Sequence, residues 1–168
     1  MKFAFADPPY YGTAKKFYGD ATYDSLDAHA QLIARLCSEY PDGWAMCLHS
    51  PSLRLILPLC PPETRVGAWV KPFCSFKPGV NPAYAWEPVL FLGGRKREPE
   101  AMTVRDWTSC NITLRKGLTG AKPDGFCYWV FDLLGAQEGD EVHDLFPGTG
   151  AVTRAWRAFT SQGRLAIR

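Results

Sequence analysis

Residues 1–10 have the sequence MKFAFADPPY. The first half of this stretch is short and apolar, as expected of a buried strand. The tetrapeptide Asp7-Pro8-Pro9-Tyr10 follows directly, and its two prolines must end the strand, because proline fixes φ and donates no backbone N–H. The chain therefore begins with a predicted strand that places this tetrapeptide at its carboxyl end.

Strand and helix patterns alternate along the rest of the chain. The predicted strands are residues 2–6, 44–48, 65–70, 86–92, 141–146 and 163–168. The predicted helices are residues 25–40, 51–59, 126–134 and 151–159, and residues 12–23 are predicted to form a loop. This alternation predicts an α/β fold with a mostly parallel sheet and helices on both faces. A length of 168 residues suits a single domain that spans residues 1–168.

Composition excludes several classes of protein. The chain is 46% hydrophobic and 21% charged, which favours a packed core over a disordered segment. No apolar run reaches the roughly 18 residues that a membrane span needs, and the first residues do not resemble a signal peptide. The six cysteines contain no C-x-x-C pair, so we expect reduced thiols, no metal site and a cytoplasmic protein without a membrane partner.

Charge is segregated although the net charge is only +2. Residues 93–122 contain seven basic and three acidic side chains, whereas residues 1–50 contain four basic and six acidic ones. Residues 93–122 also lack a clear helix or strand period. This basic stretch is either a nucleic-acid contact, through phosphates and a stacking tryptophan, or a solvated surface loop.

The Asp7-Pro8-Pro9-Tyr10 tetrapeptide suits one kind of chemistry. The Asp7 carboxylate and the Pro8 carbonyl are two hydrogen-bond acceptors, and Tyr10 adds a flat aromatic face. This set fits an amino group attached to a planar ring, because two acceptors can hold its two hydrogens and direct the nitrogen lone pair at an electrophile. The alternative is a rigid turn that Asp7 caps locally.

A second segment, residues 144–150 with the sequence DLFPGTG, lies between a predicted strand and a predicted helix. Its glycines permit a ligand to approach the backbone closely. The segment is not a P-loop and lacks the G-x-G-x-x-G spacing of a dinucleotide site. Alone, it indicates either tight packing or a cofactor site.

Together, D-P-P-Y and D-x-F-x-G-x-G resemble the motifs of the amino-group DNA methyltransferases that use S-adenosylmethionine. The resemblance extends over most of the chain. Its further motifs are Trp69-Val70-Lys71, Trp86-Glu87-Pro88-Val89-Leu90, Lys122-Pro123 and Gly139-Asp140-Glu141-Val142-His143-Asp144. The order, with D-P-P-Y first, is that of the beta-type enzymes and of the MT-A70 group. It implies a Rossmann-like class I methyltransferase fold with permuted motif order and one antiparallel strand.

The resemblance also implies site residues. The target base would be held by Asp7, Pro8, Pro9 and Tyr10. The cofactor, S-adenosylmethionine, would be bound by Asp7, Lys122, Pro123, Asp144, Phe146, Pro147, Gly148, Thr149 and Gly150. The reaction would be direct methyl transfer to N6 of adenine in DNA, because D-P-P-Y is typical of adenine enzymes. RNA as substrate, N4 of cytosine as target and a non-catalytic partner subunit remain open.

Residues 93–122 would then form a small target-recognition region. The expected nucleic-acid contacts are Lys15, Lys16, Lys71, Lys77, Arg95, Lys96, Arg97, Arg105, Trp107, Arg115 and Lys116. We expect a monomer or a homodimer, and so compact an enzyme would suit a phage or a mobile element. In beta-type enzymes an acidic residue after the last strand binds the ribose, but the predicted strand 163–168 stops before that position. Either the affinity for the cofactor is only modest, or a residue from elsewhere, Asp20 or Asp24 in the loop after the tetrapeptide, replaces this carboxylate.

Overall fold

The computed structural model describes residues 1–73, 78–112 and 121–161. Their strands are β1 (Lys2–Ala6), β2 (Gly43–Cys47), β3 (Arg65–Val70), β4 (Trp86–Gly93), β5 (Trp107–Ser109) and β6 (Glu141–Asp144). They form one sheet in the order β5-β3-β4-β2-β1-β6. Strand β4 is antiparallel to both of its neighbours, and the other pairs are parallel. The prediction of a mostly parallel sheet with one antiparallel strand is confirmed.

Helices cover both faces of this sheet, as predicted. They are α1 (Ala14–Tyr18), α2 (Leu26–Glu39), α3 (Leu53–Ile56), α4 (Asp124–Leu134) and α5 (Ala151–Ser161), with 3₁₀ turns at Thr22–Asp24, Ser50–Ser52 and Leu57–Leu59. Alternate side chains of β1 point to opposite faces. Phe3 and Phe5 pack with α4 and α5, whereas Ala4 and Ala6 pack with α2 and α3. Each face therefore has its own apolar core.

The loop predicted at residues 12–23 is wrong in part, because it contains α1 and a 3₁₀ turn. Helix α1 is only five residues long and has no apolar period for the sequence to reveal. It is held from a distance, since the Asp24 carboxylate accepts the backbone N–H groups of Ala14 at 2.8 Å and Lys15 at 3.0 Å. Two of the N–H groups that have no partner within the helix are thereby satisfied.

The basic stretch contains β5, an edge strand that the sequence pattern did not predict. Three residues are too few to show alternation. Two tryptophan side chains tie this segment to the sheet and to α4: the Trp129 indole donates to the Arg105 carbonyl, and the Trp69 indole donates to the Cys110 carbonyl, both at 2.9 Å. The predicted strand at residues 163–168 lies outside the described residues.

Two negative findings apply to the described residues alone. Within residues 1–73, 78–112 and 121–161, no helix is long and apolar enough to cross a membrane. In the same ranges, no three histidine, cysteine or acidic side chains are grouped as a metal site would require. The described cysteines are free thiols.

Substitution of Gly43 by alanine tests the tight crossing between β2 and the end of β4. Gly43 has φ +149°, and a Cβ there would lie 2.6 Å from the backbone nitrogen of Gly94. Since backbone must move, we expect Gly43→Ala to lower the free energy of unfolding by about 2 kcal/mol or more, measured by urea denaturation. In contrast, Gly125→Ala in α4, where the nearest atom is 3.9 Å away, should stabilise by up to about 1 kcal/mol. If the two substitutions changed the free energy of unfolding equally, the close approach of backbone at Gly43 would not be the cause of the loss.

Candidate active site at the carboxyl edge of the sheet

The two segments that stand out in the sequence lie side by side in the structure. Strands β1 and β6 are parallel neighbours, with Phe5 opposite Asp144. Their carboxyl ends therefore bring Asp7 and residues 144–150 to the same edge of the sheet. Between them is an open cleft of about 380 Å³, which Lys122 also lines. A ligand crevice at this position is the rule for open α/β sheets.

Asp144 carries the clearest sign of a ligand site in this cleft. Its Oδ1 atom accepts the Phe146 backbone N–H at 3.2 Å, whereas its Oδ2 atom is buried and has no hydrogen-bond partner. Burial raises the pKa of Asp144 above its ordinary value. A buried acceptor of this kind is expected to meet a donor, and none of the described residues supplies one to Oδ2.

The glycine turn beside Asp144 presents backbone to the cleft. Gly148 and Gly150 have φ +43° and +70°, respectively, and Gly148 lines the cleft together with Pro147 and Thr149. A Cβ at Gly148 would have the Phe146 carbonyl oxygen as its nearest neighbour, 3.8 Å away, so a ligand can approach the backbone there directly.

Lys122 is at the centre of a buried cluster of charged groups. Its ammonium nitrogen is 3.0 Å from Asp7 Oδ1, 3.0 Å from the Tyr10 hydroxyl and 3.6 Å from Glu87 Oε2. The Tyr10 hydroxyl donates to Glu87 at 2.9 Å and is 3.4 Å from Asp7. Lys71 forms an ion pair with the other oxygen of Glu87. Two ammonium groups thus face two carboxylates around a single phenol.

Three elements bring this cluster together. Trp69 pairs with Glu87 across β3 and β4, so that Lys71, which follows β3, reaches the Glu87 side chain. Lys122 lies directly before Pro123, whose carbonyl accepts the first backbone hydrogen bonds of α4, from the N–H groups of Phe126 and Cys127 at 3.0 and 3.1 Å. The role of Pro123 in the described structure is therefore to start the helix.

The pKa values of the cluster follow from burial and charge. Burial acts to lower the pKa of Lys122, but its interactions with Asp7, the Tyr10 phenol, Cys47 and Glu87 outweigh it and raise this pKa well above its ordinary value. Burial likewise acts to raise the pKa of Glu87, but Lys122 and Lys71 hold it below its ordinary value. For Asp7, burial dominates and raises the pKa in spite of Lys122. Lys122 is therefore a cation, and Asp7 is the more easily protonated carboxylate.

An imidazole ring supports the Tyr10 ring from one side. His49 lies parallel to Tyr10, with ring centroids 5.4 Å apart and an interplanar angle of 8°. Burial lowers the pKa of His49, which favours a neutral ring. Sequence reasoning did not associate His49 with Tyr10. It also named the motif that contains Glu87 without giving this residue a role.

The structure divides the expected nucleic-acid contacts into separate groups. Lys15 and Lys16 are exposed on α1, four residues beyond the tetrapeptide, while Lys71 is committed to the buried ion pair. At the outer strand, the Arg105 guanidinium lies 5.5 Å from the centroid of Trp107, whose side chain is 45% exposed. Lys77, Arg115 and Lys116 lie outside the described residues.

Arg95, Lys96 and Arg97 lie at the opposite edge of the sheet from the cleft. Because β4 is antiparallel to β2, the residues that follow β4 emerge at the amino ends of the parallel strands. There Arg95 pairs with Asp140 at 2.7 Å and donates to the Gly135 carbonyl, and Arg97 donates to a carbonyl at the end of α4. The described basic side chains that sequence analysis grouped into residues 93–122 are therefore divided between the two opposite edges of the sheet.

The two carboxylates expected to replace a ribose-binding residue have local partners. Asp20 accepts from the backbone N–H and the hydroxyl of Thr22, at 2.9 and 2.6 Å. Asp24 caps α1, as described above. Both side chains therefore already stabilise the segment after the tetrapeptide.

Comparison with known proteins gives evidence of the fold. No family model matches the chain, and no curated protein matches it in sequence. Among solved structures, the crystal structure of an M1.HpyAVI–SAM complex superposes with a TM-score of 0.61 at 15% sequence identity. The match covers 95% of this chain and 78% of that one. The chain has a Rossmann-like methyltransferase fold. In this methyltransferase fold the tetrapeptide strand β1 precedes the glycine-turn strand β6 in the sequence, although the two are neighbours in the sheet.

Proposed function

We propose that this chain transfers a methyl group from S-adenosylmethionine to the exocyclic amino group of a nucleic-acid base, N6 of adenine in DNA. The observation that carries the proposal is the shared cleft: Asp7 of the D-P-P-Y tetrapeptide lines one cleft at the carboxyl edge of the sheet together with Asp144, whose Oδ2 atom is buried and has no hydrogen-bond partner. The M1.HpyAVI structure of the same fold was crystallised with SAM, which supports the choice of cofactor.

The residues on the β6 side of the cleft fit this cofactor. The free Oδ2 atom of Asp144 suits a cationic donor such as the α-ammonium group of S-adenosylmethionine. Gly148 leaves the backbone accessible, and Phe146 adds an apolar surface. The cofactor supplies a methyl carbon on a positively charged sulfur, and that carbon–sulfur bond breaks as the new carbon–nitrogen bond forms.

The residues on the β1 side fit the amino group. The Asp7 carboxylate and the Pro8 carbonyl accept its two hydrogens, and the Tyr10 face stacks on the base. These contacts orient the nitrogen lone pair and lower the barrier by positioning. As the amino nitrogen forms its new bond it must lose a proton, and Asp7 can accept it because burial raises its pKa. A base in a duplex must be extruded to reach this cleft.

Mass spectrometry of nucleosides tests the proposal. The protein is incubated with methyl-deuterated S-adenosylmethionine and, separately, with duplex DNA, single-stranded DNA and RNA. Labelled N6-methyladenine in DNA is the expected result. Label on RNA alone overturns the polymer assignment, label on cytosine overturns the base assignment, and no label from a folded protein favours a non-catalytic nucleic-acid partner.

Nucleic-acid binding should depend on the lysines beside the cleft. We expect the double substitution Lys15→Ala/Lys16→Ala to weaken DNA binding and to reduce the slope of log K against log [salt] by about 2, because each phosphate contact releases counterions. The matched double substitution Lys96→Ala/Arg97→Ala, at the opposite edge, should leave both quantities unchanged. Fluorescence anisotropy titrations at several salt concentrations measure them. Equal losses in the two variants would show that DNA does not approach from the cleft edge.

A further inference from the structure

Asp7 already uses one of its two carboxylate oxygens in this structure. Its Oδ1 atom already accepts a hydrogen bond from Lys122 at 3.0 Å, and burial and charge keep that lysine protonated. A base amino group that binds this oxygen must therefore displace this ammonium group or share the oxygen with it. A displaced ammonium needs another anion, because an unpaired charge in a buried site is strongly unfavourable.

Glu87 is placed to be that anion. Its Oε2 atom is 3.6 Å from the Lys122 nitrogen, so a shift of less than about 1 Å brings the two into a full ion pair. Two contacts hold the Glu87 carboxylate in place: the Tyr10 hydroxyl donates to it at 2.9 Å, and Lys71 pairs with its other oxygen. Only 17% of the Glu87 side chain is exposed.

We infer that Glu87 is a positioning residue, which takes over the Lys122 ammonium when the amino group of the base engages Asp7. The inference rests on the proposed function. Glu87 acts through Lys122 and need not touch the base. It keeps the lysine within the site while freeing the carboxylate that the base requires, so the total charge of the cluster stays constant during binding.

The first test is Glu87→Gln, which preserves shape and the contact with Tyr10 but removes the charge. With Asp7 as its last carboxylate, Lys122 stays on Asp7, and we expect kcat for methyl transfer to fall about 100-fold. The affinity for S-adenosylmethionine should be unchanged. The matched substitution Glu39→Gln, at an exposed ion pair of α2, should leave all of these quantities unchanged.

The pH profile gives a readout that a purely structural role would not change. The titratable groups facing Lys122 are Asp7, Tyr10, Cys47, Glu87 and Cys127, with Lys71 beyond Glu87. In Glu87→Gln, Lys122 loses one carboxylate and gains an unpaired lysine neighbour, so it releases its proton at lower pH. Neutral Lys122 frees Asp7. We therefore expect the rate of the variant, relative to wild type, to rise toward alkaline pH.

A double variant with balanced charge distinguishes two roles of Glu87: to position Lys122, or only to neutralise the charge of Lys71. Lys71→Met/Glu87→Gln restores the charge balance but still gives Lys122 no second carboxylate, and we expect it to be as slow as Glu87→Gln.

Two results would overturn the inference. One is recovery of the double variant to the wild-type rate, and the other is a wild-type rate and pH profile in Glu87→Gln. Thermal unfolding and cofactor affinity verify that each variant is folded, and the double variant decides the question if Glu87→Gln does not fold. Absence of methyl transfer by the wild-type protein overturns the proposed function instead, and the inference with it.

Discussion

Replacement of Asp7 by alanine is expected to reduce kcat for methyl transfer by about 10³-fold. Asp7 is the acceptor that orients the amino group, and Glu87, the other carboxylate of the charged cluster, is engaged by Tyr10 and Lys71. Lys122 keeps Glu87 as a counter-ion, so the buried cluster should stay folded. The affinity for S-adenosylmethionine, measured by calorimetry, should change little, because Asp144 and the glycine turn supply that half of the cleft.

The control for this substitution is Asp27→Ala, in the exposed first turn of α2. It should leave methyl transfer intact. Asp7→Asn keeps one acceptor oxygen and should lie between wild type and Asp7→Ala. Methyl transfer at the wild-type rate by Asp7→Ala would show that the tetrapeptide does not hold the reacting group, and would favour its alternative interpretation as a rigid turn.

The complementary expected result concerns Asp144. A buried carboxylate oxygen without a partner gains a charge-assisted hydrogen bond when a cationic ligand binds, worth about 1.5–3 kcal/mol. We therefore expect Asp144→Ala to weaken S-adenosylmethionine binding by about 10- to 100-fold. At saturating cofactor, kcat should remain close to wild type, which is the reverse of the pattern for Asp7→Ala. Calorimetric titration and rates at high cofactor concentration separate the two.

The pH dependence of cofactor affinity should identify the same group. Burial raises the pKa of Asp144 above its ordinary value of 3.8, and protonation removes the charge that the ligand requires. The protein should therefore bind S-adenosylmethionine with full affinity when the pH is above the raised pKa of Asp144. This affinity should fall as the pH drops through that pKa, and the fall should occur at a higher pH than it would for an ordinary aspartate. In Asp144→Asn, the side-chain oxygen can still accept the Phe146 N–H, but the amide has no acidic proton and does not titrate. A pH-independent affinity in the wild type would contradict the assignment.

Local sequence predicts much of this fold because its elements are strongly patterned. The apolar run before Asp7, the helical period of α2 and the glycine turn after β6 each satisfy a local rule, and each element forms close to its predicted position. Helix α1 and strand β5 were missed for the same reason. Each is short, and each is stabilised by groups distant in sequence, Asp24 for α1 and Trp129 for the segment of β5.

The candidate site was predicted in its parts but not in its connections. The resemblance singled out Asp7, Tyr10 and Lys122, and the structure brings these residues into direct contact. Sequence reasoning gave Glu87 no role and assigned Lys71 to nucleic acid. Their pairing depends on the register between β3 and β4, which a pattern of apolar residues does not specify.

By itself, the amino-acid sequence determined the strand that ends at Asp7, the glycine turn at residues 144–150 and the α/β class, because prolines, glycines and apolar periodicity act over a few residues. Only the tertiary structure decided that Glu87 and Lys71 complete the charged cluster and that Arg95 and its neighbours lie at the far edge. The antiparallel direction of β4 is the physical reason for both. Its beginning brings Glu87 to the carboxyl ends of the parallel strands, and its end carries Arg95 to their amino ends.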